Sequence, residues 1–349
     1  MAKGFKMRQK ILIIRFSSFG DIVQCMSVVG FIKEKFPESE IHWACRKEFS
    51  QILELHPFIS KIWYLDRKDG FKGLTNLGKS LQKEKFDFIY DAHCNIRSKV
   101  LFLMLFPFWK GFGKNKVNFI IRKKERFKRF LFFNFHMKVL PTPFRGMISF
   151  REPLRKWGIT AFKEQNVKWN FPIEISEKID KILSKHFVDK PIFAFVPSAA
   201  WKMKRWPIGH WKKLISLLKE CKFVILAGAE DTFCEEFVEQ ASERVLNLAG
   251  KLSLLESCCV IAKSDLVISA DTGFLHFADL MKVATIAFIG PTAFGFPTGE
   301  TVKILQIPLK CRPCTKDGRG RCSQKIYQKC MVDITPWNVA REVRRILVN

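Results

Sequence analysis

Acidic residues are scarce in this chain. Its 349 residues carry 33 Asp and Glu against 60 Lys and Arg, a formal net charge of +27. Such a surface implies an anionic partner: nucleic acid, acidic lipid or phosphorylated glycan. Tyrosine is nearly missing, three residues against 35 Phe, and that much Phe reads as a genomic bias filling ordinary cores. No apolar run can span a bilayer. The longest, Val100 to Trp109, contains Pro107 and falls well short of the roughly 20 residues a spanning helix needs. No secretory signal is visible, since the first apolar run, Ile11 to Ile14, is short and meets Arg15. Most of the eleven Cys stand singly, as in a reducing compartment. A cytoplasmic protein is expected. There is no short-period repeat, and no base-reading motif accompanies the basic residues, so a nucleic-acid partner is not expected.

What is present is a folded composition, 48% hydrophobic and 27% charged. The length predicts two domains. Strand and helix patterns alternate through Lys10–Asp91, weaken over 160–190, and restart at Pro191. This predicts two Rossmann-like α/β domains, 1–170 and 171–349, each with a mostly parallel sheet, facing a cleft. The last helix, Pro336 to Leu347, could pack back on the first domain.

The most informative stretch is Asp265 to Met281. Leu266 to Ala270 reads as a buried strand and Asp271-Thr272-Gly273 as a turn. Phe274, Phe277, Ala278 and Met281 recur at helical spacing. A strand feeding a helix through such a turn offers backbone N–H groups and the positive end of a helix dipole to a phosphate. His276, one turn into the helix, is placed to donate to the same phosphate. Lys202, Lys204 and Arg205 lie in a loop before Pro207 and can neutralise a diphosphate. Trp206 and Trp211 read as packing residues. Glu230 and Asp231 end another strand, where a carboxylate can bind ribose hydroxyls or cap the following helix.

In the first half, Ser17-Ser18-Phe19-Gly20-Asp21 follows the first strand. Asp21 can cap the next helix, or it can serve as a general base that takes a proton from a sugar hydroxyl. From Ser98 to Lys138 apolar and basic residues interleave. The alternatives there are a core helix with a solvated basic face, or a surface that meets anionic lipid. Cys311-Arg-Pro-Cys314, Cys322 and Cys330 have, loosely, tetrathiolate zinc spacing. A disulfide or plain reduced thiols are the alternatives, and a catalytic metal is not expected there.

Together these motifs resemble glycosyltransferase family nine, the lipopolysaccharide heptosyltransferases. The resemblance rests on Ile11-Leu-Ile-Ile-Arg-Phe-Ser-Ser-Phe-Gly-Asp-Ile22, Lys204-Arg-Trp-Pro207 with His210-Trp211, Ala270-Asp-Thr-Gly-Phe-Leu-His276, and Gly290-Pro-Thr292. It implies a GT-B fold, with the acceptor on the N-terminal half and a nucleotide sugar on the C-terminal half. It implies an inverting transfer that needs no cofactor, from ADP-heptose as the family's usual donor. The acceptor would be an anionic lipid-linked glycan of the lipid A–Kdo type, at the inner face of the cytoplasmic membrane. By position Asp21 would be the general base. Lys204, Asp271, Thr272, Gly273 and His276 would hold the donor; Glu230 is a candidate ribose contact by its strand-end place alone, since Gly228-Ala-Glu-Asp231 departs from the family's pattern there. Ser17, Ser18, Gly20 and Arg97 would lie at the acceptor. The chain departs from the family pattern at Gln24 and at Ser198-Ala199-Ala200. Two rivals remain: a nucleotide-sugar epimerase or hydrolase on the same architecture, and a basic nucleic-acid-binding protein.

Overall fold

The computed structural model describes residues 8–106, 117–135, 137–163, 166–187 and 191–348. The first residues of the basic start, 1–7, and the end of the long apolar run, 107–109, lie outside them. The chain divides into two compact units. Unit 1 comprises Met1–Lys124 and Met147–Asn170; unit 2 comprises Glu125–Gly146 and Phe171–Asn349.

Unit 1 alternates strand and helix: β1 (Lys10–Ile14), α1 (Phe19–Met26), α2 (Val29–Lys35), β2 (Glu40–Arg46), α3 (Ser50–Glu54), β3 (Ile59–Leu65), α4 (Gly70–Lys83), β4 (Phe88–Asp91), α5 (Ile96–Leu105) and β5 (Asn118–Ile121). Its five strands are parallel, in the order β3-β2-β1-β4-β5. Ile11, Leu12 and Ile13 of the middle strand are fully buried, as a central parallel strand covered on both faces requires. The sequence predicts a single helix over Ile22–Phe36, but two helices occur. Ser27 turns its hydroxyl back on the Gln24 carbonyl at 2.7 Å, a local bond that competes with helix continuation.

The chain then enters unit 2 with α6 (Arg126–Phe135), returns to unit 1 with α7 (Gly146–Arg151), and crosses again before α8 (Ile173–His186). Next come β6 (Ile192–Val196), α9 (Ile208–Leu217), β7 (Lys222–Ile225), α10 (Glu235–Gln240), β8 (Val245–Asn247), α11 (Leu254–Ala262), β9 (Leu266–Ala270), α12 (Gly273–Leu280), β10 (Thr285–Phe288), β11 (Val302–Leu305), α13 (Lys329–Val332) and α14 (Pro336–Val348). These six strands are also parallel, in the order β11-β10-β9-β6-β7-β8. Trp206 and Trp211 anchor this core beside Phe195 and Phe288, and the Trp206 indole donates to the Ile334 carbonyl at 2.8 Å. Truncating either Trp would cost about 3–5 kcal/mol. Val339, Ala340 and Val343 of α14 belong to this same core, with α14 against α9 and β10. Among the described residues no helix is long and apolar enough to cross a membrane.

Candidate active site

In unit 1, β1 delivers its carboxyl end to the turn Ser17–Ser18, and α1 begins at Phe19 with Gly20 in its first turn. Asp21 therefore projects from the start of α1. Ser18 takes the extended N-cap position, but no side chain caps the helix. Instead the Ser18 hydroxyl donates to Asp21 Oδ2 at 3.0 Å, and the Arg15 guanidinium pairs with the same oxygen. Arg15 is buried, donates through Nη1 to the Ala92 carbonyl at 2.8 Å, and lies near the Phe150 ring. Arg122 stacks 3.6 Å over that ring and donates to the Ser149 hydroxyl at 3.0 Å.

Two opposing influences act on Asp21. Burial pushes its pKa up, but the positive charges of Arg15 and Arg122, with hydrogen bonds from Ser18, more than offset this and leave it below the usual carboxylate range. The side chain is still 38% exposed. It is an ionised carboxylate within reach of a ligand.

Further along the sheet, Asp91 at the end of β4 accepts from the backbone N–H of His93 and Cys94 at 2.9 and 2.8 Å. Its second oxygen accepts from the Ser98 hydroxyl at 2.8 Å. Asn95 and Ser98 close a reciprocal cap on α5. This network fixes the first helical turn, from which Arg97 points outward, exposed. Burial, then the charge of Arg67, then that of Arg97 depress the Arg46 pKa despite the Glu48 carboxylate. Arg46 and Arg67 both pair with Glu48, at 3.7 and 2.8 Å, and Arg97 is near enough for its charge to act on Arg46.

In unit 2, the turn after β9 carries a buried ionic network. Lys204 Nζ lies 3.3 Å from Asp271 Oδ2, and both side chains are largely withdrawn from water. Thr292, two residues past Gly290, donates its hydroxyl to Asp271 Oδ2 at 2.7 Å. His276 Nε2 lies 3.7 Å from Asp271 Oδ1. Burial alone would raise the Asp271 pKa; Lys204, His276 and Thr292 reverse this and hold it well below the ordinary range. Gly295 faces this carboxylate so closely that any Cβ would collide with it. Lys204 is confined in turn: a Cβ on Gly318, at φ +97°, would fall 2.7 Å from its Cγ. Thr272 caps α12, accepting from Leu275 N at 3.3 Å and sharing a hydrogen bond with Ser269 at 3.1 Å. Gly273 opens the helix. Beside Thr292 is a cavity of about 400 Å³, walled mainly by apolar side chains including Phe132, Leu140, Phe144 and Phe296.

The structure thus brings together Lys204, Asp271, Thr272, Gly273 and His276, and separately Ser17, Ser18, Gly20 and Asp21. Arg205 of the basic loop is used differently: it pairs with buried Asp231 at 3.2 Å and donates to the Ala199 carbonyl at 2.9 Å. Asp231 does not cap the helix that follows; it accepts from Gly228 N at 3.1 Å. Glu230 stands exposed, its carboxylate folded back over Gly228. The four C-terminal cysteines are free thiols, as are the other seven. Among the described residues no three His, Cys, Asp or Glu side chains are placed to hold a metal ion. Cys330 is buried in the core beside Met331, and burial pushes its thiol up to about 11, so it is protonated at neutral pH. Sequence reasoning gave Arg15, Arg122 and Thr292 no role, although Arg15 and Thr292 stand in the stretches that carry the family resemblance. Arg15 left a signal: a charge ending a buried apolar strand must find a partner.

Comparison with known proteins gives a consistent result. The family model for glycosyltransferase family 9 (heptosyltransferase) matches residues 74–326. A lipooligosaccharide heptosyltransferase 2 from Campylobacter jejuni is 26% identical over 365 residues, covering 97% of this chain and 99% of that one. The lipopolysaccharide core heptosyltransferase OpsX of Haemophilus influenzae is 26% identical over 280 residues, covering 77% and 76%. A family 9 glycosyltransferase crystal structure from Veillonella parvula superposes with a TM-score of 0.77 at 18% identity, covering 97% of each chain. The architecture is the α/β GT-B fold, one parallel sheet in each unit.

Proposed function

The chain belongs to glycosyltransferase family 9, the heptosyltransferases, and on that premise we propose that it moves a heptose from ADP-heptose onto the inner core of lipopolysaccharide. The transfer inverts the anomeric carbon and needs no metal ion. The acceptor is an anionic lipid-linked glycan of the lipid A–Kdo type, met at the inner face of the cytoplasmic membrane.

The observation that carries this proposal is the buried Lys204–Asp271 pair at the N-terminus of α12. An ammonium has three protons to donate. One is engaged by Asp271, which leaves the others for a diphosphate. Lys204, His276 and the positive end of α12 then stabilise the charge that develops as the nucleoside diphosphate departs. Asp271 acts on the donor indirectly: as a fixed anion it would repel phosphate, and its part is to orient Lys204 and His276. Thr272 and Gly273 shape the turn, and Glu230 contacts the ribose.

Asp21 is the general base. Arg15 and Ser18 hold its Oδ2, and Oδ1 takes the proton of the acceptor hydroxyl as that oxygen attacks the anomeric carbon. Ser17, Ser18 and Gly20 border the attacking group, and Arg97 meets acceptor anions. The family's relatives and the +27 charge support this choice of acceptor.

The test is initial-rate transfer from ADP-heptose to Kdo-lipid A by the wild type and by Asp21→Asn, with EDTA present. The expected loss in kcat is on the order of 100-fold or more, with donor affinity kept and the wild type unaffected by the chelator. Near-normal transfer by Asp21→Asn would remove the base assignment. Donor breakdown without acceptor would point instead to an epimerase or hydrolase.

A further inference from the structure

We propose that the outward face of α6 is a docking surface for an anionic lipid bilayer. With 3.6 residues per turn, α6 separates cleanly into two faces. On the inner one, Phe133 meets Phe294 at 5.8 Å and the Arg129 guanidinium lies 4.3 Å over the same ring, while Phe132 walls the apolar cavity. On the outer one, Phe127, Phe130 and Phe135 are 73%, 52% and 61% exposed, with half-buried Leu131 between them. Phe130 and Phe135 touch edge to face at 5.8 Å, so the rings form a continuous stripe. Met137 extends it past the helix end, 46% exposed.

Three exposed Phe on one ten-residue helix are costly to hydrate and need a cover. Charge identifies that cover. Arg126 and Lys128, both exposed, stand at opposite edges of the stripe, and exposed Lys138 follows it. The one acid over 125–138 is Glu125, which pairs with Lys128 at 3.2 Å. An apolar stripe bordered by long cations lets the rings enter the acyl boundary while the charges meet phosphate head groups. At about 15 Å, the helix is far too short to span and lies in the plane of the interface. Each Lys or Arg brought near an acidic leaflet adds attraction, and the net charge of +27 favours the same surface. The inference rests on the proposed function only in that a lipid-linked acceptor gives the enzyme a reason to be there.

The experiment is vesicle co-sedimentation of the full chain, using phosphatidylcholine with and without roughly one-third phosphatidylglycerol, an acidic content high enough to draw basic segments. The wild type should sediment with the acidic vesicles only. Phe127→Ser/Phe130→Ser/Phe135→Ser should lose about tenfold or more in partition coefficient. Arg126→Gln/Lys128→Gln should lose several-fold and flatten the salt dependence. Both variants should keep the wild-type thermal melt, because the altered side chains are exposed. In Phe127→Trp, indole emission should shift to the blue and be quenched by brominated acyl chains. Wild-type partition by the triple variant, or an unquenched indole, overturns the proposal. So does displacement of every variant alike by polyuridylate, which would identify a nucleic-acid surface. Transfer to a water-soluble, deacylated acceptor separates the two ideas. If the triple variant transfers normally yet binds vesicles as the wild type does, only the docking surface fails. If the wild type transfers to no acceptor, the proposed function fails and the vesicle result stands alone.

Discussion

Lys204 and Asp271 form a buried ion pair at 3.3 Å, with Thr292 donating to the same carboxylate oxygen at 2.7 Å. The lysine comes from the loop after β6 and the aspartate from the turn after β9, on neighbouring strands of one parallel sheet. Removing one partner strands the other in a dry site, which costs about 3–5 kcal/mol. A double-mutant cycle with Lys204→Met and Asp271→Asn should give a coupling energy above about 1 kcal/mol in denaturant unfolding. Additive losses would mean the two side chains act independently.

The same pair makes stability depend on pH. The folded pKa of Asp271 is depressed. Its contribution is present above the unfolded carboxylate pKa, about 3.9, and is lost as pH falls through the lower folded value. Unfolding free energy measured across the acid range should fall less steeply in Asp271→Asn than in the wild type. Parallel curves would contradict the assignment.

Glu84 gives a second, independent acid transition. It bridges Lys10 and Lys61 at 2.6 and 2.7 Å, and these hydrogen bonds lower its pKa to about 2. The stability it adds should disappear as pH drops from its ordinary value towards 2, and Glu84→Gln should abolish that segment of the curve. The loss at neutral pH should stay within roughly 1 kcal/mol, since Lys10 and Lys61 reach solvent.

In the proposed mechanism Arg15, paired with Asp21, is its positioning residue. With its charge gone, the largest influence holding the Asp21 pKa down is removed and that pKa rises. In Arg15→Gln the acid limb of the kcat/KM–pH profile should therefore move to higher pH, with the donor KM little changed. An unmoved limb together with a lower melting temperature would make Arg15 purely structural.

Gly295→Ala should be costly out of proportion to one methyl group, because its Cβ would meet the Asp271 carboxylate. We expect a loss of about 1–3 kcal/mol in stability and weaker ADP protection in thermal-shift measurements. Gly209→Ala, with open space around it and a helical backbone, is the control: it should lose no stability, and gain up to about 1 kcal/mol, with ADP protection unchanged.

Local patterns made much of the molecule legible. The β-branched run Leu266–Ala270 and the helical spacing after Gly273 carry β9 and α12 in their own residues, since a buried strand and an amphipathic helix each need only a short window of side chains. The short edge strands β8 and β11 escaped, because three or four residues become a strand only through the neighbour they pair with. The site divides in the same way. The sequence by itself determined that a carboxylate follows β1, that a basic loop follows β6, and that a helix N-terminus follows β9. Tertiary structure decided which charges meet. Arg15 turns onto Asp21, Arg205 of the basic loop turns onto Asp231, and Asp271 engages Lys204 and Thr292. The physical reason is desolvation: a charge taken out of water must find a partner in space, whether that partner stands a turn away, as Asp21 does from Arg15, or far along the chain, as Asp271 does from Lys204.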